Sequence, residues 1–174
     1  MNIKERLIKG NHNFIANGNR ALREETAQNG QHPYAIVICC SDSRVIPEQI
    51  FSATIGDLFV IRVAGNVMDK HQLGSIEYAA AHLGCELILL LGHTGCGAVN
   101  AALSGHSDGF ISYITDDILE AVGDERDPAQ ACRLNVQHGV NRIKEEFAEH
   151  PEMPNVKIIG AVYDIHSGEI EWLG

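Results

Sequence analysis

Two short segments of this 174-residue chain gather side chains able to do metal chemistry: Cys40-Ser41-Asp42-Ser43-Arg44 and His93-Thr94-Gly95-Cys96-Gly97. Cys40, Cys96 and His93 offer two thiolates and an imidazole, donors that suit zinc. Three protein ligands would leave the fourth position of a tetrahedral ion open, and that open position separates a catalytic zinc from a structural one. Spacing alone leaves three readings standing: catalytic zinc, structural zinc, or small cysteines packed in a core. Cys85 and Cys132 stand apart from both segments and read as core residues. Cys39 adjoins Cys40, so on a strand it must face the opposite way.

To bring the two segments together, the chain needs strands that end at them. Tyr34 to Cys39 (YAIVIC), Asp57 to Val63 (DLFVIRV), Glu86 to Leu91 (ELILLL) and Val156 to Asp164 are apolar runs that read as buried strands. Glu169 to Leu173 reads as a short fifth strand after a turn at Ser167-Gly168. Helical stretches lie before and between them. They are Met1 to about Gln28 with a break near Asn17-Gly18, a short helix from Pro47, Gly74 to Leu83, Cys96 to Leu103, Ser107 to Val122, and a long helix from Asp127-Pro128 to Glu149. Pro151 and Pro154 punctuate the loop that follows. The alternation predicts an α/β fold: a mainly parallel central β-sheet flanked by helices, with an N-terminal helical arm, as one domain over residues 1–174. Both chemical segments then lie just past strand ends, where open α/β sheets bind ligands.

Composition narrows the class further. Hydrophobic residues make up 45% and charged residues 21%, ordinary values for a globular protein. The longest wholly apolar stretches, such as Leu87 to Leu91, are too short to span a bilayer, so no membrane partner is expected. The opening MNIKERLIKG has neither an apolar core nor a small-residue cleavage site, so a cytoplasmic location is expected rather than secretion. A net charge of −10 repels a phosphate backbone, so no nucleic-acid partner is expected. Five cysteines, an odd number with no export signal, argue for free thiols rather than a disulfide framework.

C-x-D-x-R followed by H-x-x-C resembles the signature of the β-class carbonic anhydrases, carried here by Cys40, Asp42, Arg44, His93 and Cys96. SDSRVIPE (Ser41 to Glu48), GDLFVIRVAGN (Gly56 to Asn66), GSIEYA (Gly74 to Ala79) and GHTGCGAV (Gly92 to Val99) are similar to that family, in the same order. So is the L-x-x-G-N-x-x-F pattern from Leu7 to Phe14. The resemblance implies reversible hydration of carbon dioxide to bicarbonate and a proton by hydroxide on Zn2+, with Cys40, His93 and Cys96 holding the metal. It implies substrate contacts from Gln31, Phe59, Ala64, Tyr78 and Gly97. It also implies a homodimer or higher homo-oligomer with residues supplied across the interface, and the plant-like subgroup rather than the one with an allosteric bicarbonate site. Val63 departs from the pattern, since many relatives carry asparagine there. The short chain implies trimmed terminal extensions.

Charge counting sharpens the roles of Asp42 and Arg44. Zinc with two thiolates and a neutral imidazole is net neutral, so its water is less acidic than at a three-histidine site. Asp42 can accept a hydrogen bond from the metal's hydroxide, and Arg44 can keep that carboxylate ionised and aimed. The alternatives are a structural Asp42–Arg44 ion pair, and a closed site in which Asp42 becomes the fourth ligand. Rival functions on the same motif are hydrolysis of carbonyl sulfide or carbon disulfide, and a non-catalytic zinc-binding protein. His12, His32, His71, His82, His106, His138, His150 and His166 read as solvated, with His71, placed in a loop, the one conceivable proton shuttle.

Overall fold

The computed structural model describes residues 1–150, 153 and 156–173. Two compact units make up the chain, Met1–Gln31 and His32 onward. In the first, Gly18 separates α1 (Ile3–Asn17) from α2 (Arg20–Asn29), the break that Asn17-Gly18 predicts. A reciprocal cap starts α1: Asn2 Oδ1 accepts the Glu5 N–H and Glu5 Oε2 accepts the Asn2 N–H, both at 2.9 Å. Neither helix buries a residue. Ile3, Leu7, Ile8, Phe14 and Ile15 are all exposed.

The second unit is built on five strands: β1 (Ala35–Cys39), β2 (Leu58–Arg62), β3 (Leu87–His93), β4 (Lys157–Tyr163) and β5 (Ile170–Leu173), in the order β2-β1-β3-β4-β5. β1 pairs in parallel with β2 and β3, β3 pairs in parallel with β4, and β5 returns antiparallel along β4. Every residue of β1 is buried, as a strand covered on both faces requires. Successive side chains alternate between two layers of core. Ile36, Ile38, Ile88 and Leu90 face one, while Val37, Cys39, Leu89 and Leu91 face the other.

Parallel strands need crossovers, and the helices supply them. α3 (Pro47–Ile50) links β1 to β2, and α4 (Lys70–Leu83) links β2 to β3. α5 (Gly97–Leu103), α6 (Ile111–Val122) and α7 (Pro128–Glu146) follow β3. Helix α7 lies close on β3 and β4 because glycine faces it from each strand. A Cβ on Gly92 would come within 2.6 Å of Val136 Cγ2, and one on Gly160 within 2.7 Å of Val136 Cγ1. Among the described residues no helix is long and apolar enough to cross a membrane.

Helix ends differ from the sequence reading where capping decides them. α4 begins at Lys70 rather than Gly74, because Asp69 Oδ1 accepts the His71 N–H at 2.8 Å and Gln72 Oε1 accepts the Asp69 N–H at 2.9 Å. His71 therefore stands in the first turn of a helix, exposed, and not in a loop. α6 begins at Ile111 rather than Ser107, since Gly109 at φ +56° cannot continue a right-handed helix. α7 stops at Glu146 rather than Glu149. Pro151 and Pro154 lie outside the described residues.

Candidate metal centre

Strand register brings the two chemical segments to one edge. Cys39 is level with Leu91 in the parallel β1–β3 pair, so Cys40 and His93 both emerge just beyond that level. Cys96 follows as the N-cap of α5. The Cys40 and Cys96 sulfurs are 4.0 Å apart. The ligand atoms of Cys40, His93 and Cys96 all lie within 4.8 Å of one another, and among the described residues no other His, Cys, Asp or Glu group converges this way. Cys39 belongs to the core layer on the other face, as the alternation of a strand demands.

The donors fit a metal. His93 Nδ1 lies 3.0 Å from the Thr94 carbonyl oxygen, which makes Nδ1 the protonated nitrogen and leaves a bare lone pair on Nε2. That Nε2 is buried and has no hydrogen-bond partner, on a residue with 0% exposure. An orphaned buried polar atom costs about 1–3 kcal/mol, so this pocket is built for something that takes the lone pair. Two sulfurs at tetrahedral zinc, each bonded at about 2.3 Å, stand about 3.8 Å apart. The 4.0 Å separation here is close to that.

Backbone donors prepare both sulfurs for negative charge. Gly65 donates its N–H to Cys40 Sγ at 3.3 Å. Gly65 sits at φ +69° in the short 3-10 turn Ala64–Asn66, where a Cβ would fall 2.9 Å from Ile118 Cδ1. The Ala98 and Val99 amides at the start of α5 serve Cys96 in the same way. The two thiols share a proton. The Cys96 hydrogen bond, opposed by burial and aided by the Asp42 and Gly65 backbone, pushes Cys40 down. That same bond and burial push Cys96 up. The shared bond thus favours one thiolate and one thiol in the metal-free pair, and a metal must displace the remaining proton.

Asp42 and Arg44 form one rigid group. Arg44 donates from Nε to Oδ1 at 3.0 Å, from Nη2 to Oδ2 at 2.7 Å, and from its backbone N–H to Oδ1 at 2.9 Å. The side-chain bonds first, then the backbone bond, hold the Asp42 carboxyl well below the usual carboxylate range. Arg44 Nη2 also reaches the Gly95 carbonyl at 3.4 Å, which ties the first segment to the second. Asp42 is not among the convergent ligands.

Three supporting residues lie outside both motifs. Arg62, at the end of β2, donates to the carbonyls of Cys40 at 3.3 Å and Asp42 at 2.6 Å. Cys132 donates to the His93 carbonyl at 3.2 Å, and burial pushes its thiol up to about 11, so it remains a donor. Asn135 Nδ2 donates to the Gly65 carbonyl at 2.8 Å. The position of Arg62 at the end of an apolar run is the one sequence signal that points to a strand-end role. Cys132 and Asn135 give none.

Among the substrate residues that the sequence suggests, Ala64 opens the turn beside Gly65 and Gly97 follows Cys96, so both adjoin the ligands. Phe59 and Tyr78 do not. Phe59 pairs with Ile36, three positions back from the level of Cys39 and Arg62, about 10 Å along the strand. Its ring lies 6.2 Å from that of Tyr78, which is 47% exposed on α4. Gln31 is the exposed last residue of the N-terminal unit.

A family model described as carbonic anhydrase matches residues 35–170, a stretch containing all three convergent ligands. Carbonic anhydrase 2 of Mycobacterium tuberculosis is 44% identical over 123 residues, which cover 70% of this chain and 56% of that protein. The chain therefore spans little more than half the length of this relative. The crystal structure of the β-carbonic anhydrase CafA of Aspergillus fumigatus is similar with a TM-score of 0.82 at 27% identity, covering 99% of this chain and 91% of that one. A structure from a pair of tetrameric β-carbonic anhydrases of Sordaria macrospora gives 0.74 at 28% identity, covering 99% and 94%.

Proposed function

This chain belongs to the β-class carbonic anhydrases, and from that premise we propose that it is a carbonate dehydratase, a lyase converting carbon dioxide and water reversibly into bicarbonate and a proton. The observation that carries the reading is the buried His93 Nε2, left without a hydrogen-bond partner in a cluster whose ligand atoms, two sulfurs included, lie within 4.8 Å of one another. Cys40, His93 and Cys96 would hold the ion. Zinc, when bound there, supplies the Lewis acidity that makes water nucleophilic near neutral pH.

The chain's own residues do the rest. Asp42 accepts a hydrogen bond from the attacking water and so aims its lone pair at the substrate carbon. The three bonds from Arg44 fix the direction of that carboxylate and lower its proton affinity further. Carbon dioxide is small and apolar, so it needs a dry wall and one oriented donor. Ala64 and Gly97 line the near side. Phe59, Tyr78 and the Gln31 amide complete the pocket from a second copy of the chain, in a homodimer or larger assembly. Two observations support a second copy: the Phe59–Tyr78 pair lies off the ligand level on the β2 edge strand, and the apolar residues of α1 are exposed. The reading takes the whole chain, arm included, as one functional domain, and places it in the cytoplasm, where five unpaired cysteines stay reduced.

A carbon dioxide hydration assay on metal-quantified protein, with carbonyl sulfide in parallel, tests the reading. Hydration should rise in proportion to bound zinc and exceed turnover of carbonyl sulfide. Zinc-loaded protein that hydrates nothing overturns it.

A further inference from the structure

Helix α7 braces two of the three convergent ligands, and it does so with one face. Cys132 donates to the carbonyl of His93 at 3.2 Å. Asn135, one turn further along the same face, donates to the carbonyl of Gly65 at 2.8 Å, and Gly65 donates its own N–H to Cys40 Sγ at 3.3 Å. The two side chains are 3% and 5% exposed. Burying a carboxamide is costly unless it is bonded, and an apolar residue would pack α7 on the sheet without that cost. Both polar contacts go to backbone groups that carry or face a ligand, and neither joins α7 to itself.

We propose that Asn135 and Cys132 are positioning residues for the metal. α7 holds the Gly65 peptide so that its N–H points at the Cys40 sulfur, and it holds the end of β3 so that His93 stands at the matching height. Gly65 needs such a hold because a glycine at φ +69° has little of its own to keep it there. Ligands rising from β1 and β3 are thereby spaced before the ion arrives. The proposal rests on the zinc reading and extends it to a helix that carries no ligand.

Metal binding tests it without reference to turnover. Asn135→Leu and Cys132→Val remove each donor while filling the space, and Cys132→Ser keeps a hydroxyl donor. Zinc affinity of each full-length protein is measured by chelator competition. Cobalt(II) is used as a second probe, read through its thiolate charge-transfer absorption. Far-ultraviolet circular dichroism follows the metal-free fold. Asn135→Leu and Cys132→Val should bind zinc about 10–100-fold more weakly, the usual consequence of losing a group that orients a ligand. Asn135→Leu should also shift the cobalt absorption. Cys132→Ser should recover most of the loss, and the metal-free variants should remain folded. Wild-type affinity in both donor-free variants overturns the proposal, and so does a weakening matched in both by loss of the metal-free fold. A wild type that binds no zinc overturns the zinc reading along with it.

Discussion

In the proposed mechanism a carboxylate and a guanidinium two residues apart orient the attacking water. Because Arg44 holds Asp42 far below the usual carboxylate range, protonation of Asp42 should contribute nothing to a loss of hydration between neutral and mildly acidic pH. In Arg44→Ala the Asp42 carboxyl returns toward about 4, still ionised at neutral pH, so what is lost is aim rather than charge. Hydration should then fall about 10–100-fold while zinc content stays at the wild-type level, as rate and metal assays on the same preparations would show. Arg44→Lys, which keeps the charge but not the two-pronged geometry, should fall between the two. The sulfurs make a separate prediction. Because the bond they share pushes Cys40 down and Cys96 up, zinc binding to the metal-free protein should release fewer than two protons. Calorimetric zinc titrations in buffers of different ionisation heat count those protons.

At the scale of elements, the 3-10 turn after β2 is the most exacting piece of the site. It must present Gly65 to Cys40 in a left-handed conformation, against Ile118 of α6 and under Asn135 of α7. Gly65→Ala puts a Cβ into that contact and a left-handed strain of about 1–2 kcal/mol into the backbone. Thermal unfolding should show the variant melting several degrees lower, and its zinc affinity should drop in step. Gly97→Ala is the contrasting case, since a Cβ there meets nothing within 4 Å and alanine suits the first turn of a helix. That variant should melt within a degree or two of wild type, with any loss of hydration confined to the substrate term KM.

The whole molecule poses the question of what completes the pocket. Within one chain Cys40, His93, Cys96, Asp42, Arg44, Ala64 and Gly97 gather at one end of the sheet, while Phe59 and Tyr78 stay on its β2 edge. If a second copy supplies the aromatics, mixing Cys96→Ser chains with Tyr78→Ala chains builds one complete site in each mixed dimer. Hydration by the mixture should exceed the sum of the two parents after exchange of subunits. Equal, additive rates would place each pocket within one chain. Sedimentation at low concentration should likewise show dimers or larger species, with none of the activity in monomers.

Much of this was legible in the sequence. The buried runs YAIVIC and ELILLL determined which strands form, because five or six consecutive apolar residues have no other place to go. Spacing within Cys40–Arg44 and His93–Gly97 marked the ligand segments, and strand alternation sent Cys39 and Cys40 to opposite faces. Helix starts were legible at Pro47, at Asp127-Pro128 and among the glycines around Cys96, but not at α4. The start of α4 depends on bonds from the Asp69 N–H to Gln72 Oε1 and from the His71 N–H to Asp69 Oδ1, which compete with other local pairings. What only the tertiary structure decided is which distant residues serve the ligands. Arg62 reaches the Cys40–Asp42 backbone because β2 lies beside β1 in parallel register. Cys132 and Asn135 reach His93 and Gly65 because glycines on β3 and β4 let α7 settle close. A hydrogen bond between a side chain and a backbone group 39 or 70 residues away leaves no periodicity in the sequence, since any buried polar residue type can make it once packing has set the distance.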